Sequence, residues 1–212
     1  MSDKRDKQIS KALSYLLRHG AEKEKLSIDS NGFVQISNIL QNNRLKTHKT
    51  TIEDIERIVN NNDKKRFTLK NINGITFICA NQGHSLKKIN QDDEVLQLIT
   101  NDLFPEVLIH GTTHNKLKQI LESDGLNKMN RNHIHFTSLL KNENENVSGL
   151  RLFSTVLIYL DIDKLKKNQD KIKFYKSLNN VYLTSGNDEG YLRKEYFAKI
   201  IDRKTGEEIP FV

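Results

Sequence analysis

Cysteine is almost missing from this chain. Cys79 stands alone among 212 residues, so no internal disulfide can form and no cysteine metal cluster can be assembled. Such usage is expected of a reducing, intracellular compartment. Long apolar runs are missing too: none approaches the roughly 20 residues needed to span a bilayer. The N-terminal MSDKRDKQ carries both charge signs with no apolar stretch after it, unlike a secretory signal. No Walker-type or GxGxxG phosphate loop occurs, and no HExxH or Cys/His array points to zinc. These absences leave a soluble, intracellular protein as the expectation, without the common glycine-rich nucleotide sites.

What is present is cationic charge. The 34 lysines and arginines outnumber the 27 acids, and the net charge of +7 favours polyanionic partners, nucleic acid first. The length suits one domain or two. The most informative stretch is ISKALSYLLRH, residues 9–19. Ile9, Ala12, Leu13, Leu16 and Leu17 follow the i, i+3, i+4, i+7, i+8 spacing of a buried helical stripe. The stripe ends in Arg18-His19, a permanent cation beside an imidazole that titrates near neutrality. On an α-helical wheel Arg18 falls opposite the stripe, which suits either a solvated surface residue or an anion contact held on a packed helix.

Further along, Ile28-Asp29-Ser30-Asn31-Gly32 reads as a turn into 33–40, where Val34, Ile36, Ile39 and Leu40 are apolar. Thr50 and Glu53 have capping-box spacing and open a helix carrying Ile52, Ile55, Ile58 and Val59, stopped by Asn60-Asn61-Asn62-Asp63. Two β-prone runs, 66–70 and 75–80, flank a turn containing Asn73-Gly74. Three helices followed by a hairpin is winged-helix order, which alone carries no function.

The acids Asp92, Asp93 and Glu94, a short apolar stretch and Pro105 suggest a boundary. The division is 1–92, a linker over 93–105, and a second domain over 106–212. That domain reads as strand-dominated. An apolar run covers 107–110, and Leu117, Ile120 and Leu121 mark a helix stopped at Gly125. The near-continuous apolar run 155–162 is expected of a strand covered on both faces. Strands over 181–184 and 195–201, then a last short one after Lys204-Thr205-Gly206-Glu207, complete an α+β fold.

Three cationic clusters are candidates for chemistry: Arg18-His19, Lys64-Lys65-Arg66 and Arg131-Asn132-His133-Ile134-His135. An arginine at the end of an element presents its two-pronged guanidinium to a phosphate with little entropy left to lose. Each cluster alone also fits a solvated basic loop. Asn81-Gln82-Gly83-His84-Ser85 is a donor-rich loop with a glycine hinge after a strongly apolar strand, and its plainer reading is a polar turn. His110-Gly111-Thr112-Thr113 follows Leu108-Ile109, where a glycine lets a ligand approach the backbone between imidazole and hydroxyl. His133 and His135 alternate and share a strand face, but no carboxylate lies beside them, so no metal is expected.

Taken together these pieces resemble the RNA (tRNA) 2′-phosphotransferase family, fungal members most closely. The matching stretches are KALSYLLRH (11–19), IDSNGF (28–33), NRLKTHK (43–49), NDKKRF (62–67), ICANQGHS (78–85), LIHGT (108–112), MNRNHIH (129–135) and SLNNVYL (177–183). They run in the family's order from about residue 4 to residue 185, and the tail after Ser185 matches least. The resemblance implies an N-terminal winged-helix lobe and a C-terminal ADP-ribosyltransferase-like lobe that binds NAD as co-substrate, with no metal.

The implied reaction removes the internal 2′-phosphate left at a tRNA splice junction. The 2′-phosphate attacks the nicotinamide ribose of NAD and expels nicotinamide. The ribose 2″-hydroxyl of the resulting RNA-2′-phospho-ADP-ribose then attacks phosphorus. Products are 2′-hydroxyl RNA, ADP-ribose 1″,2″-cyclic phosphate and nicotinamide. The family's essential Arg-His-Arg-Arg set falls on Arg18, His19, Arg66 and Arg131. His110, Gly111 and Thr112, with Ser148, Gly149 and Arg151, resemble its NAD-side segments. Gln82, Gly83 and His84 match its signature loop, beside Arg18, His19 and Arg66 on the substrate side. A 2′-phosphorylated spliced tRNA is the implied partner, with no membrane and no obligate protein partner.

Two other readings stay open. A protein or nucleic-acid ADP-ribosyltransferase on the same scaffold would use a carboxylate such as Glu189 or Glu195 to activate its acceptor. A non-enzymatic winged-helix RNA-binding protein fits the charge and the order of elements, but gives no reason for Arg131 and the HGT stretch.

Overall fold

The apolar stripe of the first helix organises the N-terminal half. In the computed structural model, which describes residues 3–62, 64–89, 95–138 and 153–211, helix α1 spans Asp3–Tyr15. Ile9, Leu13, Leu16 and Leu17 are fully buried and Ala12 packs partly buried beside them. Each buried aliphatic side chain of this size contributes roughly 1.5–3 kcal/mol. The helix then departs from α geometry: Leu16–Gly20 form a π-helical turn, a form concentrated at functional sites.

The chain divides into two compact units, Met1–Val95 and Leu96–Val212. In the first, β1 (Val34–Gln35), α2 (Ile36–Ile39), α3 (Asn43–Lys46) and α4 (Ile52–Asn60) precede the hairpin β2 (Phe67–Ile72) and β3 (Ile75–Ala80). The antiparallel sheet runs β1-β3-β2. Asn73 (φ 51°) and Gly74 (φ 81°) both adopt the left-handed conformation at the hairpin tip, which the two-residue turn matched to strand twist demands.

The cap of α4 lies one residue later than the spacing of Thr50 and Glu53 predicts. Thr51 Oγ1 accepts from the Asp54 backbone N–H at 3.3 Å, and Asp54 Oδ2 accepts from the Thr51 N–H at 3.1 Å. Thr50 is diverted, its hydroxyl donating to the Leu45 carbonyl at 2.9 Å. The displacement gives the capping carboxylate a second job. Arg5 donates to Asp54 through both terminal nitrogens at 2.8 and 2.6 Å, and Arg57 does so at 2.7 Å while also gripping Asp6. The Arg5 guanidinium, and then Arg57, hold Asp54 well below the usual carboxylate range against the cost of its burial.

In the second unit, β4 (Leu96–Leu98) lies in the stretch predicted as linker, and Ile99 and Phe104 after it are buried in that unit's core. The remaining elements are β5 (Ile109–Thr112), α5 (His114–Glu122), β6 (Gly125–Asn127), β7 (Ile134–Phe136), β8 (Val156–Leu160), α6 (Ile162–Lys167), β9 (Tyr175–Ser177), β10 (Tyr182–Thr184), β11 (Tyr191–Arg193) and β12 (Phe197–Asp202). They form antiparallel sheets ordered β4-β9-β10-β7, β12-β8-β5 and β11-β6. The apolar run predicted to be covered on both faces is β8, central in its sheet, with Val156, Leu157, Ile158 and Leu160 buried. The expected last strand is reduced to a single bridge between Ile201 and Glu208. Paired N–H and carbonyl groups of Ile109 and Thr137, each at 2.9 Å, stitch β5 to the end of β7. Among the described residues, no helix is long and apolar enough to cross a membrane.

The Asp54 node generates a prediction. Asp54→Ala removes a cap and leaves two guanidiniums without their shared carboxylate, and is expected to cost roughly 2–4 kcal/mol at neutral pH. Because the folded carboxyl is held below its unfolded value, its stabilisation is present above the usual carboxylate range and lost as pH falls through the folded value. Urea denaturation of both proteins should therefore show a gap at pH 7 that narrows on strong acidification; a constant gap would refute the electrostatic account.

Candidate active site

The π turn decides where Arg18 points. A π-helical residue closes its hydrogen bond over a wider ring than an α-helical one, so an α-helical wheel misplaces side chains beyond Leu16. Arg18 is half-buried, not on an open face, and its Nε and Nη2 atoms are shut off from solvent. Gly20 closes the turn against the Tyr15 ring: a Cβ there would lie 2.5 Å from a ring carbon, so any larger residue must displace the ring.

The loop after β3 docks onto this turn. The Ser85 N–H donates to the Arg18 carbonyl at 2.9 Å, and Ser85 Oγ shares a 2.9 Å hydrogen bond with His19 Nδ1. In either tautomer that bond fixes the imidazole ring. Gly83 adopts φ +88°, and the Arg18 side chain runs past it, with Cδ and Nε 3.6 Å from where a Cβ would stand. His84 is buried at 3% exposure, its Nε2 facing Gly32, where a Cβ would sit 3.1 Å away. Gln82 is half-buried in the same loop.

Arg66 joins this neighbourhood through Asn81, the first residue of the donor-rich loop, to which the sequence assigned no individual role. Asn81, 2% exposed, donates its backbone N–H to the Arg66 carbonyl at 3.0 Å and its side-chain amide to the Lys65 carbonyl at 2.7 Å. Its Oδ1 accepts from the Thr68 hydroxyl at 2.6 Å. Asn62, read from sequence as part of a helix stop and as the first residue of NDKKRF, accepts from Arg66 Nη1 at 3.0 Å and from the Lys64 N–H at 3.1 Å. The turn is bent enough to push Lys65 to φ 40°, a left-handed backbone that a non-glycine residue adopts at a cost. Burial, and next the Arg66 charge, lowers the Lys64 ammonium below its ordinary value. The first unit therefore ties Arg18, His19 and Arg66 to one loop, with Lys64 and Arg66 close enough for their like charges to be felt. A bound anion relieves that repulsion.

The second unit holds the other predicted residues. His110 and Gly111 lie within β5 and Thr112 ends it. His110 Nδ1 bonds the His135 carbonyl at 2.9 Å, and the ring stands edge-on to Phe136, 5.8 Å between centroids. A carbonyl partner requires the proton on Nδ1, so a neutral His110 presents Nε2 as an acceptor. Thr112 is buried, its carbonyl taken by the Thr155 N–H at 2.9 Å. Arg131 is exposed at the end of the 128–131 turn, its N–H donating to the Lys128 carbonyl at 3.1 Å. Burial, then the Lys128 charge, pushes His133 down to about 4, so it is neutral at physiological pH. Glu195, the carboxylate considered for acceptor activation, is ion-paired with Lys164 at 3.3 Å. Ser148, Gly149 and Arg151 lie outside the described residues. Among the described residues, no group of three or more His, Cys, Asp or Glu could hold a metal ion.

A model of the family described as RNA 2′-phosphotransferase, Tpt1 / KptA family, matches residues 4–186. The tRNA 2′-phosphotransferase of Saccharomyces cerevisiae is 49% identical over 185 residues, covering 86% of this chain and 80% of that protein. The tRNA 2′-phosphotransferase 1 of Danio rerio is 37% identical over 206 residues, 93% of this chain and 86% of that protein. The Homo sapiens protein of the same name is 38% identical over 199 residues, 93% of this chain and 76% of that protein.

The crowding around Arg66 makes a direct prediction. Inorganic phosphate at constant ionic strength should raise the thermal midpoint of the wild-type protein. The rise should shrink in Asn81→Ala, which loosens Arg66 without removing a charge. A midpoint indifferent to phosphate in the wild type would mean that the cluster is not an anion site.

Proposed function

Because the chain belongs to the RNA 2′-phosphotransferase, Tpt1 / KptA family, we propose that it is an NAD-dependent tRNA 2′-phosphotransferase that clears the splice-junction 2′-phosphate. The observation that carries the reading is the docking of the 81–85 loop onto the π turn, which holds Arg18 and His19 beside the loop that also ties Arg66. Products are 2′-hydroxyl RNA, ADP-ribose 1″,2″-cyclic phosphate and nicotinamide.

NAD supplies an electrophilic ribose carbon with nicotinamide as its leaving group. The residues of the chain bind, orient and neutralise. Arg18 and Arg66 hold the 2′-phosphate dianion so that one oxygen faces the carbon it attacks. The same guanidiniums stabilise charge that builds on phosphate oxygens when the phosphorus is attacked in turn. His19, its ring oriented by Ser85, donates to a phosphate oxygen or takes the proton of the attacking hydroxyl. Arg131 is the fourth residue assigned to phosphate, on the family's pattern. Gln82, Gly83 and His84 are assigned to the substrate side.

The NAD assignment rests on β5. A carbonyl-anchored imidazole, His110, lies beside a glycine and a buried threonine, and its acceptor nitrogen suits the hydroxyl or amide donors of a nucleotide. Ser148, Gly149 and Arg151 complete the assignment from sequence. The first unit is read as a winged-helix lobe, because its short helices lead into a hairpin joined by β1. The second is read as an ADP-ribosyltransferase-like lobe.

Incubation with NAD and a short RNA carrying one internal 2′-phosphate should release nicotinamide and leave a 2′-hydroxyl, with no reaction when NAD is omitted. An unchanged RNA sinks the proposal, and a stable ADP-ribosyl adduct would favour the transferase alternative. Arg18→Ala, Arg66→Ala and Arg131→Ala should each lower turnover by about 10²-fold or more. Circular dichroism and thermal midpoints should stay near wild type; near-normal rates in Arg18→Ala and Arg66→Ala would remove the proposed phosphate site.

A further inference from the structure

A groove of about 390 Å³ runs between α1 and α3 in the first unit, lined by Gln8, Lys11, Tyr15, Arg44, Thr47 and His48, with Ala12 also on its wall. The two helices are clamped together at its edge. Arg5 donates to the His48 carbonyl at 3.1 and 2.9 Å and to the Lys49 carbonyl at 3.0 Å. Near Tyr15, the Arg44 guanidinium lies over the ring, 4.3 Å from its centroid, and Glu24 holds Arg44 Nε at 3.0 Å. The intervening turn is pinned by Thr47 Oγ1 on the Asn43 carbonyl at 2.7 Å, and it ends with Lys49 in the left-handed conformation at φ 49°. NRLKTHK is thus a rigidly built basic turn, and the phosphate site above makes no use of it.

Its chemistry is that of a polyanion surface. Lys4, Lys7 and Lys11 are exposed along α1 on the side away from the apolar stripe, and Lys46 and Lys49 are exposed on the facing turn. Two acids of the unit are engaged with other arginines: Asp6 holds Arg57 and Asp54 holds Arg5. The neutral lining groups, Gln8 and Thr47, are the kind that donate to phosphate oxygens. Among the described residues, none of the exposed large hydrophobics lines the groove. Membrane-surface helices need an apolar face to insert, and protein interfaces need apolar or aromatic anchors. Here the aromatic ring is already covered by an arginine.

We infer that this groove binds the ribose-phosphate backbone of the RNA substrate outside the reacting nucleotide. The inference rests on the phosphotransferase reading for the identity of the RNA. Lys11 precedes Arg18 by seven residues, on the order of 10 Å along a helix axis, so an RNA strand held at Arg18 reaches the groove within a few nucleotides. Tyr15, which lines the groove, is also the ring against which Gly20 closes the π turn. The contacts are to backbone and carry no sequence preference.

The test is the charge-reversal pair Lys11→Glu with Lys46→Glu, compared with Lys11→Arg with Lys46→Arg. Two RNAs are used, a spliced tRNA and a trinucleotide, each with one internal 2′-phosphate. The reversal should raise KM for the tRNA about tenfold or more at 0.1 M salt and flatten the salt dependence of its binding by about two in log–log slope. Its kcat, and both constants for the trinucleotide, should stay within about twofold of wild type, as expected where only remote phosphate contacts are lost. The arginine pair should behave as wild type. Equal losses on both RNAs, or tRNA affinity unchanged by the reversal, overturn the inference. Direct binding of the tRNA without NAD separates the two claims: if the wild type turns over neither RNA, the phosphotransferase reading fails while the groove is still judged by affinity. Equal sensitivity of binding to phosphatidylserine vesicles would assign the face to membranes instead and overturn the RNA assignment.

Discussion

One backbone hydrogen bond, from the Ser85 N–H to the Arg18 carbonyl, sets the geometry of the candidate phosphate site. It closes the loop after β3 onto the π turn of the first helix. A carbonyl at the end of a regular α-helix lacks an intrahelical partner; here the π turn presents one to a segment 67 residues away in the sequence numbering, Arg18 to Ser85. Because Asn81 in the same loop holds the backbone at Lys65 and Arg66, the one junction governs both arginines. Helix, hairpin and loop are separate in sequence, and the cations they carry acquire a fixed relation only through this closure.

Holding cations together is unfavourable, and the fold shows how the first unit meets that cost. Arg5 and Arg57 are neutralised by Asp54 and Asp6, as structural ion pairs should be. At Arg66 the Asn62 side chain accepts from the guanidinium, while the Asn81 backbone N–H holds the Arg66 carbonyl, so side chain and main chain are both oriented. Lys64 feels the consequence, its ammonium lowered by burial and by Arg66.

Much of the scaffold was legible in the sequence because it depends on local periodicity. The stripe of Ile9, Leu13, Leu16 and Leu17, the Asn73-Gly74 hairpin and the doubly covered strand β8 each follow from a pattern within a dozen residues. What escaped depends on partners distant in sequence. The π turn at Leu16–Gly20 is held by Ser85, whose backbone N–H reaches the Arg18 carbonyl from far along the chain, and no window around Arg18 contains it. Thr51 displaces Thr50 as the cap because the Leu45 carbonyl claims the Thr50 hydroxyl. Asn62 and Asn81 look like ordinary turn residues until their hydrogen bonds are traced. The stretch expected as linker carries β4 because its pairing strand, β9, lies some 80 residues further on, at Tyr175–Ser177.

The same unit therefore carries two cationic surfaces built on opposite principles. Around Arg18 and Arg66 the side chains are half-buried and their backbones are held by the 81–85 loop, which suits one phosphate in one orientation. Along α1 and α3 the lysines project from a clamped scaffold, and their long stems tolerate many phosphate positions. An enzyme acting on a single modified nucleotide within a large RNA needs both kinds of contact. Rigid contacts raise the rate only where bonds change, and mobile ones supply affinity without demanding a sequence. The first helix belongs to both surfaces: its buried stripe fixes its position, its exposed lysines lie beside the groove, and its final π turn carries Arg18 and His19, the residues proposed for the reacting phosphate.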